Sequence, residues 1–324
     1  IARFRMAQHR HHQAVVGLSR NADVDRALAK GSVFLRWYVN KGAIPYGDHS
    51  AWPGHEDNGK CSAGAILFDL LGDKDAAGFF AKMATAAYDE RERGHTGNFY
   101  NVFWAMPGVS RGGPLASGAY WKEQGWYYDL ARGWDGRFAY QGSPEGEEEH
   151  GSYTNWDNTG AYLLTFGLQQ KKLLITGRKP SVAPALTANE ARAVIAAGRD
   201  YFGSRKNGYQ GREASRLLQD LSSWSPIVRR RSAMALARGG PETIPALIKM
   251  LEAPELNARY GACEALQEFK GAAAPAVPAL QQALLHEDLW LRIRSAEALA
   301  AVGKAAAPAV PDLLRRLATP ASTQ

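Results

Sequence analysis

The chain has 324 residues and a formal net charge of +7 at neutral pH. That length allows two domains, each with its own core, so no disulfide framework is required. Cys61 and Cys263 lie far apart, which excludes a disulfide-rich fold and a closely spaced cysteine metal site. Basic and acidic residues mix in both halves, which argues against nucleic-acid binding, and no apolar run is long enough for an ordinary membrane span.

The chain begins with Ile1 rather than methionine, which suggests a processed or truncated polypeptide. We divide it into an N-terminal segment at 1–23, a helical domain at 24–205 and a repeat domain at 206–324. Most of the aromatic residues precede position 210, a density typical of a domain with a lined cavity as well as a core.

Apolar residues at helical spacing alternate with glycine-rich corners through the first domain. Strongly apolar helices alternate with amphipathic ones, as expected for inner and outer layers, and no segment shows a convincing strand pattern. The pattern therefore predicts an all-α domain of helical hairpins. The predicted helices are 23–40, 60–71, 75–91, 98–105, 119–132, 158–168 and 188–202.

This alternation resembles the (α/α) toroid shared by terpenoid cyclases, protein prenyltransferase β-subunits and many polysaccharide-active enzymes. Five segments also resemble an uncharacterised bacterial domain family whose members often carry HEAT and PDZ modules: 44–49, 57–60, 91–99, 134–136 and 156–162. The resemblance covers roughly residues 24–200, implies no particular activity, and slightly favours a periplasmic or extracellular location. About three hairpins are visible, so we expect a fragment or an open ring capped by the repeats.

The chemistries of known toroids can be tested against the residues. The Asp-rich motif of squalene-type cyclases, which supplies a neutral carboxylic acid, is absent. Prenyltransferase β-subunits hold zinc through an aspartate, a cysteine and a histidine, and Asp57, Cys61 and His95 offer those residue types. A small buried residue is the commoner role for such a cysteine, so we expect no metal and no other cofactor.

A carbohydrate site is the sharper alternative. Glycoside hydrolysis needs two carboxylates across a cleft, and aspartates at the loop-to-helix junctions include Asp57, Asp135 and Asp157. Helix capping by Asp57 or Asn58 and by Asp157 or Asn158 would also explain these residues. A lyase would use a Tyr or His base with Asn and Arg groups. The candidates for that chemistry are His95, Asn98, Tyr100, Asn101 and Arg137.

These residues define one hypothetical pocket at the starts of the inner helices. Three tryptophans, Trp52, Trp104 and Trp156, are candidates for stacking on a sugar ring or an apolar ligand. The polar residues assigned to the pocket are His49, Asp57, His95, Asn98, Tyr100, Asp135 and Asp157, with Arg137 as a further ligand-binding candidate.

The repeat domain shows an internal duplication. The segment 272–278 reads AAAPAVP and returns at 305–311, each time after a run of small and aliphatic residues at helical spacing. Proline is tolerated in a first helical turn, so Pro278 and Pro311 predict the starts of second helices. Pro245 marks a shorter earlier copy. The segment resembles HEAT repeats, in particular the PBS-lyase HEAT-like type, which implies an α-solenoid that binds a partner or braces a neighbouring domain.

Two functions from different classes follow. The first is a non-catalytic helical scaffold that recognises protein through its HEAT repeats, with a hairpin domain of unknown ligand. The second is a carbohydrate-active toroid enzyme, of the lyase or glycoside hydrolase type, or a sugar-binding domain. Arg229, Arg230 and Arg231 are a candidate docking patch for an acidic partner, although a solvated helix face is the commoner meaning of such a run.

Overall fold

The computed structural model of the chain describes residues 21–47, 50–91, 99–139, 157–173, 175, 179–199 and 208–318. The chain divides into two compact units, Ile1–Phe202 and Gly203–Gln324, and each is described by itself. In these described ranges all regular elements are helices, and extended backbone pairs only as isolated bridges. The predicted all-α fold is confirmed, while the division at residues 23 and 205 stays a prediction.

The first unit contains helices close to those that the apolar spacing predicts. The segment predicted at 60–71 has the same bounds in the structure, whereas the helix predicted at 119–132 begins six residues earlier, at Gly113, with Pro114 in its first turn. The helices are α1 Ala22–Arg36, α2 Lys60–Leu71, α3 Lys74–Ala86, α4 Phe99–Val109, α5 Gly113–Leu130, α6 Thr159–Gly167 and α7 Ala188–Gly198.

Side-chain caps fix where several of these helices begin. The Asn21 side chain accepts hydrogen bonds from the first amides of α1, and Asp73 accepts one from the Ala76 amide at the start of α3. Thr187 and Glu190 form a reciprocal capping box at the start of α7. Each cap satisfies amides that have no partner within the helix. The capping residue therefore determines where the helix begins.

The helices of the first unit form two layers. Helix α4 packs between α2 and α6, while α3 packs against α2, α4, α5 and α7. The contact between α2 and α4 is close because glycines lie in it. A Cβ atom on Gly59 would clash with the Tyr100 carbonyl oxygen, and one on Gly108 would lie 2.7 Å from the Ser62 Cα. Helices α2, α4 and α6 therefore form one row, and the assignment of this row as the inner layer of the hairpins stays a prediction.

A buried ion pair fastens the loop after α6 to this array. The Arg111 Nε lies 2.9 Å from a carboxylate oxygen of Asp69. The other oxygen of Asp69 accepts hydrogen bonds from the Ser181 hydroxyl at 2.8 Å and the Val182 amide at 2.7 Å. Further along, the Leu186 amide donates to the Gly112 carbonyl. The stretch leading into α7 is thus held on the hairpins by side chains of α2 and the α4–α5 turn.

The second unit is a stack of paired helices, as the repeated AAAPAVP predicts. Pro245, Pro278 and Pro311 each lie at the start of a second helix. The AAAPA segments form 3-10 turns between the two helices of a pair. The helices are α8 Ala214–Asp220, α9 Pro226–Gly239, α10 Ile244–Met250, α11 Leu256–Phe269, α12 Val277–Ala283, α13 Leu289–Val302 and α14 Val310–Ala318. Helix α8 is an addition to the three predicted pairs.

One arginine recurs in the longer helices and fastens each to the loop before it. Arg229 in α9 donates to the Ser223 carbonyl at 2.8 Å, and Arg292 in α13 donates to the His286 and Glu287 carbonyls at 2.9 and 2.8 Å. Arg259 in α11 donates to the Ala253 carbonyl. These guanidinium groups satisfy loop carbonyls that would otherwise face an apolar stack.

The predicted docking patch at Arg229–Arg231 is corrected by this arrangement. Arg229 is fully buried. Burial lowers the pKa of its guanidinium, although the charge of Glu264 acts in the opposite direction. Arg231 is half-buried and Arg230 is exposed. Residues 229–231 are therefore neither a docking patch of three exposed cations nor a fully solvated helix face, because Arg229 is packed inside the stack.

Candidate functional site

The start of α2 is organised by Glu56 and not by the residues that the sequence favours as caps. The Glu56 carboxylate is buried and accepts hydrogen bonds from the amides of Asp57, Cys61 and Ser62, at 2.8–2.9 Å, and from the Ser62 hydroxyl at 2.8 Å. The predicted capping of α2 by Asp57 or Asn58 is wrong. A carboxylate is a stronger acceptor than an amide oxygen, and it also opposes the positive end of the helix dipole.

A buried arginine balances the charge of Glu56. The Arg91 Nη1 lies 3.6 Å from the Glu56 carboxylate, and both side chains are shielded from solvent. The Arg91 guanidinium donates to the carbonyls of Ala84 and Asn101, the Ser62 hydroxyl and the Tyr120 hydroxyl, at 2.8–3.2 Å. Every one of these partners belongs to a different helix or turn, so the pair joins α2, α3, α4 and α5 in one polar network.

Asp57 lies outside this buried network. Its carboxylate accepts a hydrogen bond from the Tyr46 amide, and the Lys60 ammonium lies 3.9 Å from it and 4.8 Å from the centre of the Tyr46 ring. Burial lowers the pKa of Lys60, while the charge of Asp57 works in the opposite direction. Asp57 thus fixes the loop before α2 onto the helix start.

The metal hypothesis receives no support from the described geometry. Cys61 is fully buried, and its sulfur accepts a hydrogen bond from the Ile44 amide at 3.4 Å. Among the residues that the structure describes, no group of three or more His, Cys, Asp and Glu side chains is arranged to hold a metal. His95 lies outside the described residues, so the expectation that Asp57, Cys61 and His95 hold no metal stays a prediction.

The aromatic candidates of this region differ in exposure. Trp52 and Tyr100 are about half exposed, whereas Trp104 is partly covered. The backbone of Trp52 pairs with that of Ala43, and Tyr100 and Trp104 contact the start of α2 at Gly59. The structure therefore places Tyr100 and Trp104 beside Gly59, whereas the carboxylate of Asp57 contacts Tyr46 and Lys60. A pocket that combines these three residues stays a prediction.

A second group of candidates surrounds the corner between α5 and α6. We call residues 133–138 the tryptophan corner. The Gly133 amide donates to the Arg137 carbonyl at 2.7 Å, and the Gly136 amide to the Gly133 carbonyl at 3.1 Å. Gly136 has a φ of +82°, which favours glycine. Asp135 accepts hydrogen bonds from the Arg137 amide at 3.1 Å and the Arg137 Nε at 2.6 Å.

Asp157 at the start of α6 joins this corner. Its carboxylate accepts the Thr159 amide at 2.9 Å, while Asn158, the N-cap residue of α6, makes no side-chain capping bond. The backbone of Asp157 pairs with Ala139. The pKa of Asp157 is lowered by the hydrogen bonds from Thr159 and by the charge of Arg137, against the charge of Asp135. Asp135, Arg137 and Asp157 are therefore close enough to interact electrostatically.

The structure thus forms two groups from the candidates, and the convergence of both into one pocket stays a prediction. Asp57, Tyr100 and Trp104 make up the first group, which shares only its location at the starts of α2 and α4. Asp135, Arg137 and Asp157 make up the second, at the α5–α6 corner. Four further candidates lie outside the described residues: His49, His95, Asn98 and Trp156.

Sequence reasoning missed three residues that the structure makes prominent. Glu56 lies in a loop and Arg91 follows a helix. Nothing in the sequence indicates that these two charged residues pair in the core. Trp134 is 99 % exposed at the tip of the tryptophan corner. The tight-turn pattern Gly-Trp-Asp-Gly was a usable signal for Trp134, since a compact corner holds its side chains outward.

In the second unit, apolar side chains are exposed at the corners between repeats. Leu256 and Leu289 occupy matching positions at the starts of α11 and α13, two helices that pack against each other, and are 37 % and 43 % exposed. Leu285, in the turn that follows α12, is 50 % exposed. We call these residues the leucine strip. The neighbouring loop positions Glu252, Glu255 and Glu287 are also exposed.

No helix in the described parts of the chain has the length and apolar character required to cross a membrane.

Comparisons with known proteins agree with this division of the molecule. The model for HEAT repeats matches residues 214–277, which confirms the predicted repeats, and such repeats generally mediate protein interactions. No curated protein and no solved structure matches the chain. Residues 16–177, half of the chain, match the family model described as Domain of unknown function (DUF6288). The chain therefore belongs to the DUF6288 family, here followed by HEAT repeats.

Proposed function

We propose that this chain is a helical scaffold whose HEAT repeats bind a partner protein along the leucine strip. The single observation that carries the proposal is the exposure of Leu256, Leu285 and Leu289 at the matching loop-to-helix junctions of neighbouring repeats. Leu251 and Leu284, which end the preceding short helices, are almost fully buried. The strip therefore consists of leucines that the stack itself does not need to bury.

The charges around the strip indicate the chemistry of the partner. Glu252, Glu255 and Glu287 are exposed in the two loops that carry the leucines. The nearby guanidinium groups of Arg259, Arg292 and Arg316 are hydrogen-bonded to loop carbonyls. A partner segment with apolar side chains and lysine or arginine would complement this edge, because apolar area supplies affinity while opposite charge favours the correct partner.

A defined peptide tests the proposal. In fluorescence anisotropy, an amphipathic helical peptide of leucine and lysine should bind the full chain, and binding should weaken as salt screens the charges. The combined variant Leu256→Ser, Leu285→Ser and Leu289→Ser should lower the affinity about tenfold or more, as expected for loss of central contacts. Leu314→Ser is the matched control, since Leu314 is 60 % exposed on α14, outside the loop-to-helix junctions that carry the strip.

Two results would refute the leucine strip as the docking site. One is equal affinity of the peptide for the triple variant and the unmodified chain. The other is equally tight binding of a leucine–glutamate peptide, because the exposed glutamates should repel it.

The first unit has a separate architectural proposal. The inner row α2–α4–α6 and its outer helices support an arc of an (α/α) toroid, in which inner-helix starts gather at one end. The antiparallel contacts of α5 with α6 favour this arrangement, since the Trp121 and Phe166 rings lie 5.7 Å apart and the Tyr128 and Tyr162 rings 5.1 Å apart. In such an arc, α2, α4 and α6 follow one continuous curve. A crystal structure in which α6 turns away from the line of α2 and α4 would contradict the proposal.

A further inference from the structure

The first and last described helices of the repeat stack differ in the chemistry of their exposed side chains. Helix α8, the first, exposes Ser215, Arg216 and Gln219. Helix α14, the last, exposes Val310 at 47 % and Leu314 at 60 %. A solenoid normally closes its ends with polar faces, because an apolar end remains open to association. The first helix of this stack matches such a cap, whereas the last helix does not.

The 33-residue register of the repeats shows which positions meet a following helix pair. In the middle repeat, the Tyr260 hydroxyl of α11 donates to the Asp288 carboxylate at the start of α13, at 2.9 Å. The Gln281 Nε2 of α12 donates to the Asp312 carboxylate of α14, at 3.2 Å. Val277, at the start of α12, is only 5 % exposed. These positions belong to the side of the middle pair that the last pair covers.

The matching positions of the last pair lie 33 residues later, at Ile293, Val310 and Leu314. All three side chains are apolar, so the last pair replaces the hydrogen-bonding groups of the middle pair by hydrocarbon. Val310 is 47 % exposed where its counterpart Val277 is buried. On α13, alanines three and seven residues after Ile293 lie on the same side of the helix. We call these residues the end face: Ile293, Ala296, Ala300, Val310 and Leu314.

We infer that the end face binds the end face of a second copy of this chain. The end face continues the register of a surface on which a HEAT helix pair stacks, so a helix pair is the shape that fits it. The polar face of α8 offers no apolar counterpart, which disfavours stacking of the last pair on the first helix of another copy. The identical end face does offer one. Each face then meets its own copy about a two-fold axis, and assembly stops at two chains.

The size of the end face sets the expected strength of this dimer. Helix α13 has 14 residues and is therefore about 21 Å long. A face of that length and two helices wide is at the lower end of stable protein interfaces, so we expect dissociation in the micromolar range.

The leucine strip should remain accessible in the dimer. Leu256 is 37 % exposed although the last pair covers its repeat. Leu289, its counterpart 33 residues later, should stay exposed in the same way when a second copy covers the end face. The two surfaces can therefore act independently.

Sedimentation velocity of the full chain, over a concentration series that spans the micromolar range, tests this inference. The mass should rise with concentration from that of one chain to that of two. Val310→Glu with Leu314→Glu should weaken dimerisation about tenfold or more, because both copies would bring carboxylates to the shared face. Ala300→Glu should have the same effect from α13. All three positions are exposed, so the circular dichroism spectrum and the melting temperature should be unchanged.

The matched control is Leu256→Glu with Leu285→Glu, which adds the same two charges in the leucine strip. It should dimerise like the unmodified chain, so the result is independent of protein binding along the strip. A single-chain mass at every concentration would overturn the inference. Growth beyond two chains would overturn it as well, since it would indicate stacking of the last pair on the first helix of the next copy. Equal dimerisation of the end-face variants and the unmodified chain would place the interface elsewhere.

Discussion

Lys270 has a backbone conformation that glycine adopts at the matching position of the next repeat. Its φ is +53°, and Gly303 has a φ of +76° with a similar ψ. A side chain is strained in this region, whereas glycine is not. Lys270→Gly should therefore stabilise the repeat unit by about 1 kcal/mol, after allowance for the greater freedom of unfolded glycine. Urea unfolding monitored by circular dichroism measures the change.

The reciprocal substitution is the control for this expectation. Gly303→Lys should destabilise the unit, because it introduces the same strain at a position that has none. A loss of stability in Lys270→Gly would show that contacts of the lysine side chain outweigh the backbone term.

Arg91 and Glu56 provide a second prediction at the level of single residues. Arg91→Met leaves the buried Glu56 carboxylate without its positive partner, which should destabilise the first unit by about 3 kcal/mol. The double variant Glu56→Gln with Arg91→Met should recover part of that loss, because the uncompensated charge is gone. Chemical unfolding of both variants measures the difference. Additive losses in the double variant would show that the two charges do not interact.

The recurrent arginine is the feature that sets repeat geometry at the level of helices. Arg292 donates two short hydrogen bonds to the loop before α13. Arg292→Ala should cost about 1.5–3 kcal/mol, the range for hydrogen bonds to a charged group. Arg292→Lys should recover only a fraction, because both hydrogen bonds come from Nη1 and a lysine side chain is one bond too short to place its nitrogen there. Equal stability of the Lys variant and the unmodified chain would exclude a role for that geometry.

The start of α3 gives a pH-dependent prediction. Burial by itself raises the pKa of Asp73, but the hydrogen bond from the Ala76 amide and the Arg36 guanidinium outweigh it, so the pKa is lowered from its ordinary value of 3.8. A carboxyl group whose pKa is lower in the folded state adds stability at pH values above its pKa in the unfolded state. This contribution disappears as the pH falls through the pKa of the folded state. Thermal melts of the unmodified chain should therefore lose stability below about pH 4.

Asp73→Asn should make the acid limb of this profile shallower and lower the stability at neutral pH. The asparagine keeps a capping oxygen but has no charge to titrate. An unchanged acid limb in the variant would assign the loss of stability to other carboxylates.

How far the sequence predicts these helices depends on whether the signal is local. The bounds of α2 and the proline starts of α10, α12 and α14 follow from apolar spacing and from the missing amide of proline, which act within a few residues. The buried position of Arg229 could not be predicted, because a run of three arginines looks the same whether one of them meets loop carbonyls or water. The role of Glu56 was likewise hidden, since Arg91 approaches it only in the folded unit.

The candidate site shows the same limit. Asp135, Arg137 and Asp157 were predicted as functional from their residue types, and the structure places them together because backbone pairing of Ala139 with Asp157 closes the corner. No periodic pattern predicts that pairing. Trp134 was assigned to a turn and not to the site, because exposure of an indole depends on the whole surface around it.

The two cysteines give a prediction for the whole molecule. Both are fully buried, and burial raises the pKa of the Cys263 thiol to about 12. Only the thiolate reacts readily, so neither thiol should react with Ellman's reagent in the native chain at pH 8, and both should react after denaturation. A cysteine that reacts in the native state would show that its unit opens on the time scale of the assay. Cys61→Ser and Cys263→Ser variants assign the signal.

The Glu56–Arg91 pair also has a consequence for the order in which the first unit is made. Glu56 leaves the ribosome before α2, whereas Arg91 follows only after both α2 and α3 have been synthesised. Burying the carboxylate before its counter-charge arrives would leave a charge uncompensated in an apolar environment. The nascent chain is therefore expected to keep the start of α2 open to water until the whole hairpin has emerged, so that the hairpin, and not the single helix, is the unit of folding during translation.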